Sequence, residues 1–290
     1  MAAPAFPGRT GADPSRKRQG VAKQAERKSP RAKTGTKKTS KAPAKAAKAA
    51  AAAPARRRLL RLPRLRIPTR RGLRRRLGLT LVGVVGLALA LVAVNSVVRP
   101  FQGIYMHSEA RRLGGIEQSW VPMDQIAPVM ARSAVAAEDA NFCRHWGFDM
   151  SAIRDAIADG MSRGGSTITQ QVAKNVYLWQ GRSYVRKALE AGFTPAIELF
   201  WTKRRILEVY LNVAEFDEGV FGVEAGAMHY FGVHAAQLNA TQAARLAAIL
   251  PSPQAWSASH PTNYVLRRSR QIIDGAATIR RDGRAACFED

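Results

Sequence analysis

Two cysteines in 290 residues leave no room for a disulfide scaffold, and aromatic residues make up only 7% of the chain. The five histidines are scattered, with only His229 and His234 near each other, so no metal-binding motif is recognisable. Acid is scarce as well: 21 Asp+Glu stand against 46 Lys+Arg, a formal charge of +25. That excess is local. Met1 to Arg76 hold 25 of the basic residues and only two acidic ones, Asp13 and Glu26, so this stretch carries +23 and the remainder +2. Convincing runs of alternating strand residues are missing, as are internal repeats, and the body reads as mainly α. A hydrophobic fraction of 46% nevertheless excludes a wholly disordered chain, and residues 99–290 suffice for one domain with a sizeable core.

Residues 1–55 are built from Ala, Lys, Arg, Pro, Ser, Thr and Gly, with Phe6 their one aromatic. Such a segment cannot offset the entropy of ordering and is expected to be disordered. Arg56 to Arg76 mixes Arg with Leu, Ile and Pro, which suits anionic lipid headgroups, while Pro63 and Pro68 oppose one continuous helix. Leu77 to Val98 then runs 22 residues without a charge. At ~1.5 Å per residue that run spans the ~30 Å hydrocarbon core of a bilayer, and it predicts a transmembrane helix. A buried core helix fits less well, because Arg74, Arg75, Arg76 and Arg99 flank the run as membrane-boundary residues do. A cleaved signal peptide fits less well still, since VNSVVRP offers no small-x-small cleavage site.

The organisation expected is a basic cytoplasmic tail (1–76), a membrane helix (77–98) and an extracytoplasmic body (99–290), because Lys and Arg collect on the inner side of the membrane. In that oxidising compartment Cys143 and Cys287 can pair or remain thiols; the sequence supplies no distance between them. The tail would hold any polyanion in a salt-dependent way. It has no folded recognition motif, which argues against specific nucleic-acid reading.

Within the body, periodicity predicts helices over Asp124–Asn141, over Ser151–Asp159 and from Thr167 onward, where Thr167 and Gln170 have capping-box spacing. Further helices are expected over 183–201, kinked or broken at Pro195, after the cap Thr202, over Thr241–Leu250 and over Tyr264–Arg280.

Three groups of residues can carry chemistry. Glu138 and Asp139 stand at a helix end, followed by Phe142, His145 and Gly147; the negative end of the helix dipole favours a protonated Glu138 and would raise its pKa. An acidic pair at such a place is, taken alone, more often merely solvated. Gly164 to Gln171 (GGSTITQQ) packs two glycines and five hydroxyl or amide side chains into eight positions, a loop feeding a helix N-terminus that suits an anion. It is no P-loop, because the Lys-Ser/Thr pair is missing. Lys174, Arg182, Arg186 and Lys187 follow as partners for a phosphate. Glu190 lies four residues after Arg186, where a helical salt bridge is the plain account; with Glu138 it would make a two-carboxylate site.

Taken in order, Glu-Asp-x-x-Phe-x-x-His-x-Gly (138–147), GGSTITQQ (164–171), Arg-Lys-x-x-Glu (186–190), Arg-Ile-Leu-Glu-x-Tyr-Leu-Asn (205–212) and Gly-Val-x-x-Gly-x-x-x-Tyr-Phe-Gly (222–232) resemble the peptidoglycan glycosyltransferase family, and within it the monofunctional biosynthetic transglycosylases. The match runs from Val121 to Ser252. It implies a lysozyme-like α-helical domain with a smaller membrane-facing lobe. It also implies polymerisation of lipid II onto a growing lipid-linked strand at the cytoplasmic (inner) membrane, with the catalytic domain in the periplasm and cell-wall synthesis proteins as possible partners.

Carried over by motif, Glu138 is the general base and Glu190 assists departure of the pyrophosphate. Ser166, Thr167, Gln170, Gln171, Lys174, Arg182 and Arg186 would bind substrate, and Asp139, Phe142, His145, Gly147 and Asn212 would support the site. A carboxylate beside a pyrophosphate needs either a divalent cation, Mg²⁺ or Mn²⁺, or the neighbouring cations to neutralise it. Too few residues follow Gly232 for the cross-linking domain of bifunctional relatives, so glycan polymerisation without peptide cross-linking is expected. The competing expectations are a lysozyme-like glycan-cleaving enzyme and a membrane-tethered scaffold with a polyanion-binding tail.

Overall fold

The computed structural model describes residues 70–158, 165–181 and 183–289. The basic tail up to position 69, Gly164 and Arg182 lie outside the described residues.

Helix α1 (Arg70–Asn95) is uncharged from Leu77 to its end, and only 6% of its most apolar 18 residues is buried. An apolar helix with so little protein around it is compatible with a single-pass membrane anchor. It begins seven residues before the uncharged run and ends three residues before Val98. The early end has a physical cause. The Arg205 guanidinium donates to Asn95 O and, at 2.7 Å, to Val98 O, while Ser96 Oγ donates to Ala93 O, so the last carbonyls find side-chain donors and the chain turns away before Pro100. Trp201 Nε1 donates to Val92 O at 2.7 Å and Asn95 Nδ2 to the Tyr177 hydroxyl at 3.0 Å, which fastens the helix end to the body.

The body is helical as expected, through α2 (Ile104–Leu113), α3 (Pro128–Glu138), α4 (Met150–Ala158), α5 (Ile168–Tyr177), α6 (Tyr184–Phe200), α7 (Lys203–Val213), α8 (Val223–Phe231), α9 (Ala240–Ile249), α10 (Asn263–Arg281) and α11 (Ala286–Glu289). Helices α3, α9 and α10 pack on one another, and α5 packs against α6 and α7. Five consecutive residues of α7, Val209 to Val213, are buried, so this helix is enclosed on all sides and the site is built around it.

Three expectations need correction. The helix predicted over Asp124–Asn141 is a 3₁₀ turn (Met123–Gln125) followed by α3, because Pro128 has no N–H to continue the turn and opens the helix at its first position instead. Pro195 does not break α6, which runs through it: Ala196, Ile197 and Glu198 just beyond are buried, and Thr194 Oγ1 bonds back to Glu190 O. A small sheet was not expected. Strands β1 (Glu117–Gln118), β2 (Glu215–Asp217) and β3 (Val220–Phe221) pair in the order β1-β3-β2, with β1 parallel and β2 antiparallel to β3. Segments of two or three residues are too short for alternation to register.

Cys143 and Cys287 form a disulfide, with Cα atoms 5.7 Å apart. It ties the loop after α3 to α11, where Phe142 packs on Phe288 and Arg132 pairs with Glu289.

Candidate active site

Glu138 is the last residue of α3 and is partly buried; Gln171 Nε2 of α5 donates to its Oε2 at 2.8 Å. Burial raises its pKa above the ordinary glutamate value, against the pull of the Gln171 hydrogen bond and of Arg268 and Lys174, with Asp139 adding a smaller push upward. The direction matches the expectation from sequence, while the leading cause is desolvation. Arg268 reaches this point from α10, and its Nη2 also donates to Ala137 O at 2.8 Å. No local pattern around Glu138 could have revealed a residue 130 positions away.

Asp139 is a joint rather than a reagent. It is buried, one oxygen lies 2.7 Å from His145 Nε2, and the other accepts the Ile168 N–H at the start of α5. Phe142 is fully buried, with the Lys203 ammonium over its ring at 4.4 Å, and Lys203 Nζ also donates to His145 O. Gly147 adopts φ +84°, and a Cβ there would stand 2.4 Å from Thr194 Cγ2. Its carbonyl accepts the Thr167 hydroxyl. Together these contacts hold the 139–149 loop against the N-terminus of α5. Asn212 does the same elsewhere: its side chain brackets both the N–H and the C=O of Val121 at 2.8 Å.

The capping box forms as predicted, with Gln170 Oε1 accepting the Thr167 N–H and Thr167 Oγ1 accepting the Gln170 N–H. Both side chains are buried and engaged in the cap. Ser166 and Gln171 of this stretch, and Lys174 just after it, remain partly exposed.

Glu190 is buried, and the expected salt bridge is doubled: Arg186 Nη1 lies 2.6 Å from Oε2 and Lys187 Nζ 2.5 Å from Oε1. Lys187 also donates to Ser166 Oγ at 2.9 Å, joining α6 to the α5 loop. Lys174 stands in the field of both Glu190 and Glu138, its ammonium has no hydrogen-bond partner among the described residues, and its pKa is lowered, chiefly by burial. An unpaired, partly buried ammonium in the field of two carboxylates is suited to an anionic group brought by a ligand.

The residues present fit a resident divalent cation poorly. Among the described residues Glu190 has two cations and no second carboxylate beside it. Asp139, His145 and Asp149 do approach within 4.8 Å of one another. However, Asp139 is spent on His145 and Ile168, and Asp149 caps α4 through Ser151 and Ala152 while holding Asn141. Neutralisation by Arg186, Lys187 and Lys174 is the alternative that the geometry favours.

A desolvated glutamate and a second, cation-neutralised one are the kind of carboxylate pair used by enzymes that act at glycosidic bonds. A family profile described as Transglycosylase matches residues 107–277, and the chain belongs to that family. It is similar to the biosynthetic peptidoglycan transglycosylase of Jannaschia sp. (strain CCS1), with 66% identity over 206 residues, 71% of this chain and 86% of the relative. Proteins of the same name from Caulobacter vibrioides and Rhodospirillum centenum are 49% and 46% identical over 215 residues, each covering 93% of the relative and 73% and 71% of this chain. The chain is a glycosyltransferase of peptidoglycan synthesis and acts in building the cell wall.

Proposed function

We propose that the chain polymerises lipid II, with the growing lipid-linked strand as donor and a second lipid II as acceptor, and releases undecaprenyl pyrophosphate. Glu138 accepts the proton of the acceptor 4-hydroxyl as that oxygen bonds to C1 of the donor. The C1–O bond to pyrophosphate breaks with its electron pair, and the α-linkage becomes β. Positioned proton removal of this kind contributes ~10²–10⁴ in rate. The raised pKa of Glu138 makes its carboxylate a stronger base than an exposed one.

The Lys174 ammonium, partly buried in the field of Glu138 and Glu190 with no side-chain partner among the described residues, carries this reading. A leaving pyrophosphate needs charge support where the bond breaks, and Lys174 can give it without abandoning another partner. Glu190 holds Arg186 and Lys187 at the same place, so its part is to position cations. Ser166 and Gln171 complete the donor side; Thr167 and Gln170 shape it from within the cap.

The tail lies in the cytoplasm, α1 crosses the inner membrane, and residues from 99 onward work in the periplasm beside the bilayer that confines both prenyl-tailed substrates. Anchoring there raises their effective concentration. The test is polymerisation of labelled lipid II by the full chain in detergent. Polymer should form, and Glu138→Gln should slow it by ~10²–10⁴; lipid II consumed without polymer, or polymer undiminished by the substitution, defeats the assignment.

A further inference from the structure

Beside Gln171 lies a cavity of about 260 Å³ with two unlike walls. Helix α5 supplies one through Gln171, Lys174 and Asn175, and the other is formed by Tyr105 of α2, Glu215 of β2 and the turn from Leu250 to Pro253. The chemistry described so far makes no use of this second wall. Its polar centre is a carboxylate clamped from two sides: the Tyr105 hydroxyl donates to Glu215 Oε2 at 2.8 Å and Gln254 Nε2 donates to Oε1 at 3.1 Å. The Tyr105 ring is fixed in turn by edge-on packing against Phe221, with centroids 5.7 Å apart.

Tyr105 reaches this place because the segment after the membrane helix crosses α5 closely. A Cβ on Gly103 would lie 1.9 Å from Asn175 O, so only glycine allows the approach.

Charge gives the cavity a direction. Lys174 at the α5 wall attracts a phosphate, whereas Glu215 at the far wall repels one and accepts hydrogen bonds from hydroxyl or amide N–H groups. Each Glu215 oxygen receives one donor among the described residues, which leaves lone pairs for a ligand. We infer that Tyr105 and Glu215, the latter held in place by Gln254 from outside the cavity lining, form a subsite for the hydroxyl- and acetamido-bearing sugar of a lipid-linked saccharide, and that this subsite orients the sugar with its phosphate end toward Lys174. The inference rests on the glycan-polymerising reading above. It makes the first helix after the membrane anchor a wall of the substrate site as well as a connection.

Steady-state polymerisation of lipid II by the full chain tests it with Glu215→Gln and Tyr105→Phe. A hydrogen bond to a charged group corresponds to roughly ten- to a hundred-fold in binding, so the KM for lipid II should rise about tenfold or more in Glu215→Gln. Tyr105→Phe, which frees the carboxylate to swing, should raise KM in the same direction, and kcat should stay within about threefold in both. Thermal unfolding midpoints close to wild type would confirm that the packing is kept. If either variant unfolds, Gln254→Ala at its exposed position carries the test, with a KM rise of at least about threefold expected. Unchanged KM in the folded variants, or a fall in kcat alone, overturns the subsite. A wild-type chain that makes no polymer defeats the parent reading instead.

Discussion

Serine at both Cys143 and Cys287 removes a bridge that closes a 144-residue loop. On the chain-entropy account, a loop of that length is worth about 5 kcal/mol at 25 °C, and at about 2–4 °C per kcal/mol for a body of this size its loss would lower Tm by about 10–20 °C. The figure is an upper bound, because residual structure in the unfolded chain reduces the loop entropy that the bridge removes. In the folded variant Arg132 to Glu289, Arg284 Nη1 to Ala140 O at 2.9 Å, and Phe142 against Phe288 still join the two ends. Calorimetry of the detergent-solubilised chain should show wild type moving to the midpoint of the double variant when reductant is added, while the variant itself does not respond. Below its midpoint the variant should polymerise within a few-fold of wild type, since Asp139 holds the loop after Glu138 through His145 and Ile168 without help from the bridge. A drop of less than about 2 °C, or a reductant effect on the cysteine-free chain, would refute the reasoning.

Glu138→Gln should cost ~10²–10⁴ in kcat/KM. In wild type the acid limb of kcat/KM should lie above the ordinary glutamate value of 4.5, because the base must be ionised and burial raises its pKa; a limb at or below 4.5 contradicts the desolvated base. Lys174→Met removes an attractive charge from Glu138, so the same limb should shift to higher pH as activity falls; a shift to lower pH would place Lys174 elsewhere. Asp149, whose carboxyl is lowered to about 2 by donors from Ser151, Ala152 and Asn141 that outweigh burial, should contribute stability that is present above its unfolded value of 3.8 and lost as pH falls through about 2; Asp149→Asn should flatten the acid unfolding curve over that window. Gly147→Ala should lower stability by about 2 kcal/mol or more in denaturant titration, through its positive φ and the clash with Thr194.

Much was legible in the chain because it is written locally. The apolar run, the cap at Thr167, the i, i+4 pair Arg186–Glu190 and the position of Glu138 at a helix end each depend on neighbours within one or two helical turns. The short strands were not legible, because two residues carry no period. Asp139, expected to support the site, is tied to Ile168, 29 positions on, a contact that local spacing does not show, while Gln170, expected to bind substrate, closes the cap on Thr167.

By itself, the sequence determined the basic tail, the apolar segment, the helical body and the order of the motifs, since charge asymmetry and hydrophobic periodicity need no long-range contact. Tertiary structure alone decided that Cys143 meets Cys287, that Arg268 comes to Glu138 from α10, that Arg205 caps the end of α1, and that Tyr105 and Glu215 face α5 across a cavity. Each of these joins residues 40 or more positions apart, so the contact exists only once the helices between them have packed.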